Sequence, residues 1–147
     1  MTKKYEGSCL CGSVQYSFDD APKIVGDCYC VDCRKSSGTS HCTHAAIAES
    51  DFTVEGALKF YDRAADSGNL VSRGFCPECG SAVYSTNDHL PGMVFVRVSS
   101  LDTLEDVAPM MTVYASRAPS WARIDPEKPS YEEMPDGGPQ KVLRNGL

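Results

Sequence analysis

The sequence predicts a domain of mainly β structure. In residues 13–18, Val14, Tyr16 and Phe18 alternate with polar residues, which is typical of a strand with one buried face. Short segments rich in Val, Tyr and Phe recur between Gly, Pro and Asp turns, and few stretches suit a helix. The 147 residues fit one domain, which is long enough to bury a core without disulfides.

The segments on either side of Gly56 continue the two-residue period of apolar side chains, whereas residues 81–85 and 93–98 are predicted as strands from their content of Val, Tyr and Phe. Short helices are favoured only at residues 32–36 and in the turn after Ser100. In the last predicted strand, Met111, Val113 and Ala115 share one face. The predicted strands are residues 14–18, 52–54 and 58–60 on either side of Gly56, 81–85, 93–98 and 109–116.

The composition changes near residue 125. Four prolines and a Gly-Gly pair follow, which predicts an extended segment rather than a further domain. We therefore assign residues 1–125 to one domain and residues 126–147 to a tail that packs on it, near Trp121 and Tyr131, with a loose end.

The charge pattern excludes several classes of partner. The formal net charge is −6, and lysines and arginines form no cluster, so a nucleic-acid surface is not expected. The longest apolar runs have four residues, and no apolar stretch follows the first lysines, which argues against a membrane span or secretory signal. We expect a cytoplasmic protein, monomeric or homodimeric, without nucleic-acid or membrane partners.

Cysteine spacing is the most informative feature. In the cytoplasm, closely spaced cysteines more often bind metal or catalyse reactions than form disulfides. Thiolates one or two residues apart can converge on one ion at about 2.3 Å from each sulfur. Seven of the eight cysteines lie in three tight groups, namely Cys9 and Cys11, then Cys28, Cys30 and Cys33, then Cys76 and Cys79.

The segment CPECG at residues 76–80 predicts half of a metal site. Proline favours the turn, and the glycine after Cys79 permits a positive φ beside the sulfurs. A redox dithiol is the alternative, but it lacks the expected βαβ context. Cys9 and Cys11 would complete a closed, structural four-cysteine site. Their distance from Cys76 in sequence leaves a local site with Cys28 possible as well.

The group Cys28, Cys30 and Cys33 supplies three ligands. Three protein ligands leave one position open on a tetrahedral ion, which is typical of catalytic zinc. Alternatively, Cys42, His41 or His44 closes the site. His41 or His44 could instead move a proton near neutral pH, but residues three apart in a strand face opposite sides. Cys42 is otherwise interpreted as a small core residue.

These motifs together resemble the glutathione-dependent formaldehyde-activating enzyme family, whose domain also occurs in centromere protein V. The resemblance extends from Gly7 to about residue 135. The matching segments are GSCLCG at 7–12, CYCVDCRKSSG at 28–38, ADSG at 65–68, RGFCPECGS at 73–81, SLD at 100–102 and APSW at 118–121.

The resemblance implies several coiled β-sheets organised around a structural zinc, an Mss-four-like fold shared with Rab-binding zinc modules. It implies structural zinc on Cys9, Cys11, Cys76 and Cys79, and active-site zinc on Cys28, Cys30 and Cys33. The implied activity is that of a carbon–sulfur lyase, the reversible addition of formaldehyde to glutathione that gives S-(hydroxymethyl)glutathione. We therefore expect two zinc ions per chain, with glutathione or another small thiol and formaldehyde as substrates. A non-catalytic, zinc-stabilised binding module is the alternative hypothesis.

Overall fold

The computed structural model describes residues 4–136 and 138, which form two β-sheets and few helical turns. This mainly β architecture, with cysteine groups that could hold zinc, confirms the predicted fold class. The strands of the described residues are β1 (Tyr5–Ser8), β2 (Gln15–Phe18), β3 (Ile24–Cys28), β4 (Cys42–Ala48), β5 (Thr53–Glu55), β6 (Lys59–Ala64), β7 (Leu70–Phe75), β8 (Ala82–Asn87), β9 (Met93–Arg97) and β10 (Met111–Val113), and the α-helix is α1 (Val31–Lys35).

The smaller sheet has the antiparallel order β1-β2-β5. Tyr16 and Phe18, which alternate with polar residues in β2, turn into the core as the sequence predicts. The Tyr5 ring stacks on Phe18 with 4.8 Å between the ring centroids. Such aromatic pairs add to the free energy gained by burying their area.

The larger sheet has the order β10-β3-β4-β9-β8-β7-β6. Neighbouring strands are antiparallel except for β10, which lies parallel to β3. Residues 129–133 run along β10: the Thr112 N–H donates to Pro129 O at 3.0 Å, and the Tyr131 N–H donates to Thr112 O at 2.9 Å. Tyr131 and Met134 pack against the buried cluster that includes Met111. Residues 137 and 139–147, where a loose end is predicted, lie outside the described part.

The two faces of the large sheet have different surroundings. Because side chains alternate along a strand, Val25, Ala45 and Ile47 enter the main hydrophobic core beneath the small sheet. Their neighbours Ile24 and Ala46 point the other way and line a cavity of about 280 Å³. The large sheet therefore separates the core from the cavity.

Several elements differ from the sequence prediction. The stretch 52–60 divides between the two sheets, with β5 in one and β6 in the other. The predicted strand 109–116 is cut to three residues because Tyr114 is left-handed, with a φ of 56°, and begins a 3₁₀ turn. A 3₁₀ turn also ends at Ser100 rather than beginning after it. The sequence does not predict β1, β3, β4 or β7, which lack a regular apolar alternation.

No helix in residues 4–136 is long and apolar enough to cross a membrane.

Replacing Gly7 by alanine should destabilise the fold. A Cβ atom at Gly7 would lie 2.6 Å from the Ser100 carbonyl oxygen and against the Tyr16 ring. Overpacking of this kind reduces the free energy of unfolding by about 1–3 kcal/mol. Gly38→Ala is the matched control, because nothing lies within 4 Å of its Cβ position. Urea unfolding checks the difference, and equal midpoints for the two variants would contradict the described packing.

Candidate functional site

The first thiol group brings together Cys9, Cys11, Cys76 and Cys79, hereafter the four-cysteine cluster. All four sulfurs lie within 4.8 Å of one another. Cys11 Sγ is 3.6 Å from Cys9 Sγ and 3.7 Å from Cys76 Sγ. A tetrahedral zinc with bonds of about 2.3 Å requires sulfurs about 3.8 Å apart. The cluster therefore fits a four-coordinate zinc site without rearrangement.

Two similar turns form the cluster. Gly12 and Gly80 follow the second cysteine of each pair, with φ angles of 82° and 77° that favour glycine. The Gly12 N–H donates to Cys9 O at 3.1 Å, and the Gly80 N–H donates to Cys76 O at 2.8 Å. The Val14 N–H also points at Cys9 Sγ, 3.3 Å away. Each turn thus directs its sulfurs inward and supplies N–H donors that favour thiolates.

The environment of Cys79 favours ionisation. Hydrogen bonding to the side chain and backbone of Ser81 lowers the pKa of the Cys79 thiol to about 5. A thiolate is the form that binds metal. Cys79 is therefore ready to bind a cation at neutral pH.

The second group, hereafter the thiol triplet, comprises Cys28 at the end of β3 and Cys30 and Cys33 at the start of α1. Cys30 is also the N-cap, because its sulfur accepts the Cys33 N–H at 3.3 Å. All three sulfurs lie within 4.8 Å of one another. The end of the strand and the first helical turn thus aim three potential ligands at one point.

The triplet cannot ionise fully by itself. Hydrogen bonds from Cys28 and Cys33 lower the pKa of the Cys30 thiol to about 2. In turn, hydrogen bonding to Cys30 raises the pKa of Cys28 to about 12, and Cys28 and Cys30 together raise that of Cys33. The triplet can therefore carry one negative charge by itself, whereas three thiolates require a bound cation. The all-sulfur donor set suits a soft or borderline metal such as zinc.

Two buried side chains fix the helix that carries the triplet. Arg97 on β9 donates from Nη1 to Ser36 O at 2.8 Å at the C-terminal end of α1. The Cys42 thiol donates to Cys33 O at 2.9 Å. The packing role predicted for Cys42 is consistent with its 2% exposure, whereas the sequence did not single out Arg97.

The two histidines lie in different places. His44 lines the cavity, and its Nε2 is 3.5 Å from Cys33 Sγ. The imidazole of His41 instead lies 3.8 Å from the carboxylate of Asp27 and packs against the ring of Tyr29. His41 is not among the cavity-lining residues. Opposite placement agrees with the alternation of side chains in a strand.

His44 is grouped with Cys33 and Cys42 rather than with the whole triplet. The three ligand atoms of that second group lie within 4.8 Å of one another. No described histidine or fourth cysteine lies within that distance of all three triplet sulfurs. A metal on the triplet would therefore keep a position free for another ligand, while His44 stays beside it.

The three cysteines of the thiol triplet line the cavity. The floor is one face of the large sheet, with Phe95 and Ala46 paired across β9 and β4. The start of α1, Asp66 and Tyr114 form part of the wall around this floor. Arg73 on β7 also lines it, and its positive charge contributes to the low pKa of Cys30. The motif RGFCPECGS included Arg73, but only the tertiary structure places it beside the triplet.

Comparison with known proteins agrees with these features. The family model of the glutathione-dependent formaldehyde-activating enzymes matches residues 4–117, well over half of the chain. A Halomonas elongata protein, provisionally named as a glutathione-dependent formaldehyde-activating enzyme, is 29% identical over 126 residues. The match covers 82% of this chain and 80% of that protein.

A crystal structure of a Rhodobacter sphaeroides protein has a similar fold. Its TM-score is 0.52 and its sequence identity is 19%. The match covers 86% of this chain and 98% of that protein.

Acidification should release metal from the triplet before the four-cysteine cluster. Protons compete with metal for thiolates, and the triplet offers three ligands beside an open cavity whereas the four-cysteine cluster offers four. Zinc content measured at stepwise lower pH should show two losses. In Cys30→Ser, only the loss at lower pH should remain. A single loss at the same pH in both proteins would contradict the assignment.

Proposed function

Because the chain belongs to the glutathione-dependent formaldehyde-activating enzyme family, we propose that it is a zinc-dependent carbon–sulfur lyase. The substrate is S-(hydroxymethyl)glutathione or a related adduct of a thiol with an aldehyde. Two zinc ions per chain serve different purposes: one on the four-cysteine cluster stabilises the fold, and one on the thiol triplet serves the reaction.

The observation that carries this proposal is the convergence of three thiols on the wall of a cavity. The sulfurs of Cys28, Cys30 and Cys33 lie within 4.8 Å of one another, and all three residues line the cavity. A purely structural site is closed by four protein ligands, as the four-cysteine cluster can be. The triplet offers three ligands and adjoins space for a small molecule.

The reaction needs one bond broken and one proton moved. In the cleavage direction the hydroxymethyl O–H loses its proton, the C–O bond becomes a carbonyl and the C–S electron pair returns to sulfur. Zinc on the triplet would stabilise the departing thiolate or polarise the hydroxymethyl oxygen. The reverse sequence adds the thiol to formaldehyde, and no external oxidant or reductant is required.

His44 is the group best placed to carry the proton. If its Nε2–H donates to Cys33 Sγ, then Nδ1 remains an acceptor. The Nδ1 atoms of His44 and His41 are both buried without a hydrogen-bond partner among the described residues, but only His44 lines the cavity. Proton transfer by a positioned side chain contributes about 10²–10⁴-fold to a rate. We therefore assign His44, rather than His41, as the acid and base.

Cys30→Ser should abolish catalysed exchange between formaldehyde, glutathione and their adduct. The substitution removes the central ligand of the triplet, so the exchange rate followed by NMR should fall to the rate without protein. Lys35→Ser is the matched control: it introduces serine at an exposed position of the same helix that is absent from the cavity wall, and should retain acceleration.

Circular dichroism and zinc content separate loss of activity from loss of fold in both variants. If the wild-type protein accelerates formaldehyde exchange with neither glutathione nor N-acetylcysteine, or Cys30→Ser accelerates it equally well, the lyase proposal is wrong. The non-catalytic binding module would then be the better interpretation.

His44→Gln should reduce the catalysed exchange rate by about 10²–10⁴-fold through loss of the proton carrier. His41→Gln should have a small effect, because His41 faces Asp27 and Tyr29 rather than the cavity. Zinc content should stay the same in both variants. The assignment fails if His41→Gln is the more damaging substitution at equal zinc content.

A further inference from the structure

The cavity floor changes from charged to apolar along one row of paired residues. Pairing between neighbouring strands of the large sheet places five residues in one row. In order across the sheet, the row is Arg73, Ser85, Phe95, Ala46 and Ile24. All five line the cavity. With about 4.8 Å between strands, the row is about 19 Å long. A ligand in this cavity therefore meets a cation at one end and hydrocarbon at the other.

The apolar end extends beyond the row. Met111 and Val113 on β10 line the cavity beside β3 and are almost fully buried, at 4% and 8% exposure. Gly26, opposite both His44 and Met111, leaves the floor open between them. No charged side chain of β10, β3 or β9 is among the described cavity-lining residues.

Arg73 is the one lining residue with a permanent positive charge in the described part of the cavity. Its guanidinium forms no hydrogen bond or ion pair with the described residues. The two acidic lining residues are already neutralised: Asp32 pairs with Arg63 at 3.2 Å, and Asp66 pairs with Arg117. Arg73 is thus left to pair with a ligand.

Glutathione matches this distribution poorly. It carries two carboxylates and an ammonium group, and its side arms are polar peptide. One unpaired guanidinium can bind one of these carboxylates, while the paired Asp32 and Asp66 offer no free partner to the ammonium group. Asn69, Thr86 and Asn87 lie at the Arg73 end of the cavity and can bind one polar arm. A second polar arm placed against Phe95, Ala46 and Ile24 would lose hydrogen bonds to water without replacement.

We propose that the thiol substrate carries a single carboxylate, bound by Arg73, and an apolar arm that lies on the floor formed by Phe95, Ala46 and Ile24. This inference rests on the proposed lyase function and names its substrate class. Arg73 binds the carboxylate through two N–H groups, beside the Ser85 hydroxyl. The sulfur reaches the thiol triplet, which lies on the wall above this floor.

A matched pair of thiols tests the role of Arg73. N-acetylcysteine and N-acetylcysteamine differ by one carboxylate, and calorimetry measures their dissociation constants on the zinc-loaded protein. Wild type should bind N-acetylcysteine about 10–100-fold more tightly, as expected for a hydrogen bond to a charged group. Arg73→Gln should remove that preference, and Arg73→Lys should restore part of it. An equal loss for both thiols would overturn the proposal, because Arg73 would then only balance the triplet charge.

Acyl chain length tests the apolar floor. N-hexanoylcysteine should bind more tightly than N-acetylcysteine, by up to about fourfold for each added methylene. It should also bind more tightly than glutathione, with zinc content measured before and after each titration. Equal affinity for the two acylcysteines, or tighter binding of glutathione, would overturn the substrate class.

The exchange measurement keeps the two proposals separate. If glutathione binds best and its formaldehyde exchange depends on Cys30, the lyase function stands and this substrate class is wrong. If no thiol binds and Cys30→Ser leaves exchange unchanged, both proposals are wrong.

Discussion

The antiparallel register between β3 and β4 is the constraint on which the candidate site depends. It places Cys28 opposite Cys42 and Gly26 opposite His44. His44 therefore shares the cavity face with Cys28, while Ala45 and Ile47 enter the core. A slip of one residue in this register would turn the core side chains towards the cavity and the cavity side chains towards the core. Burial of the core side chains therefore also fixes which side chains face the cavity. The hydrophobic core thus determines which polar groups reach the cavity.

Electrostatics impose a second requirement. Two groups of closely spaced sulfurs cannot carry their full negative charge without cations, because like charges within a few ångströms raise one another's pKa. The four-cysteine cluster is supported by N–H groups such as those of Val14 and Glu78. The triplet is less completely surrounded by donors and adjoins the cavity. The same ligand type therefore lies in a four-thiol cluster in one place and beside a cavity in the other.

Much of the candidate site follows from local sequence. Thiol ligands are identified by residue type, and Cys-x-x-Cys or Cys-x-Cys spacing places sulfurs together within one turn. Gly12 and Gly80 reinforce this reading, since each supplies a positive φ beside a cysteine pair. Strand β2 also follows from apolar periodicity, and β9 follows from its content of Val and Phe. Strand β3 does not, because Gly26, Asp27 and Cys28 interrupt its pattern.

The sequence by itself determined the mainly β class, the grouping of seven cysteines and the resemblance to one family, because these depend on residues adjacent in the chain. Only the tertiary structure decided that Cys9 and Cys11 meet Cys76 and Cys79, and that His44 rather than His41 lies in the cavity. It also decided that Arg73 shares that cavity. These outcomes depend on strand pairing between distant segments, whose register is fixed by burial of the whole core and not by any local pattern.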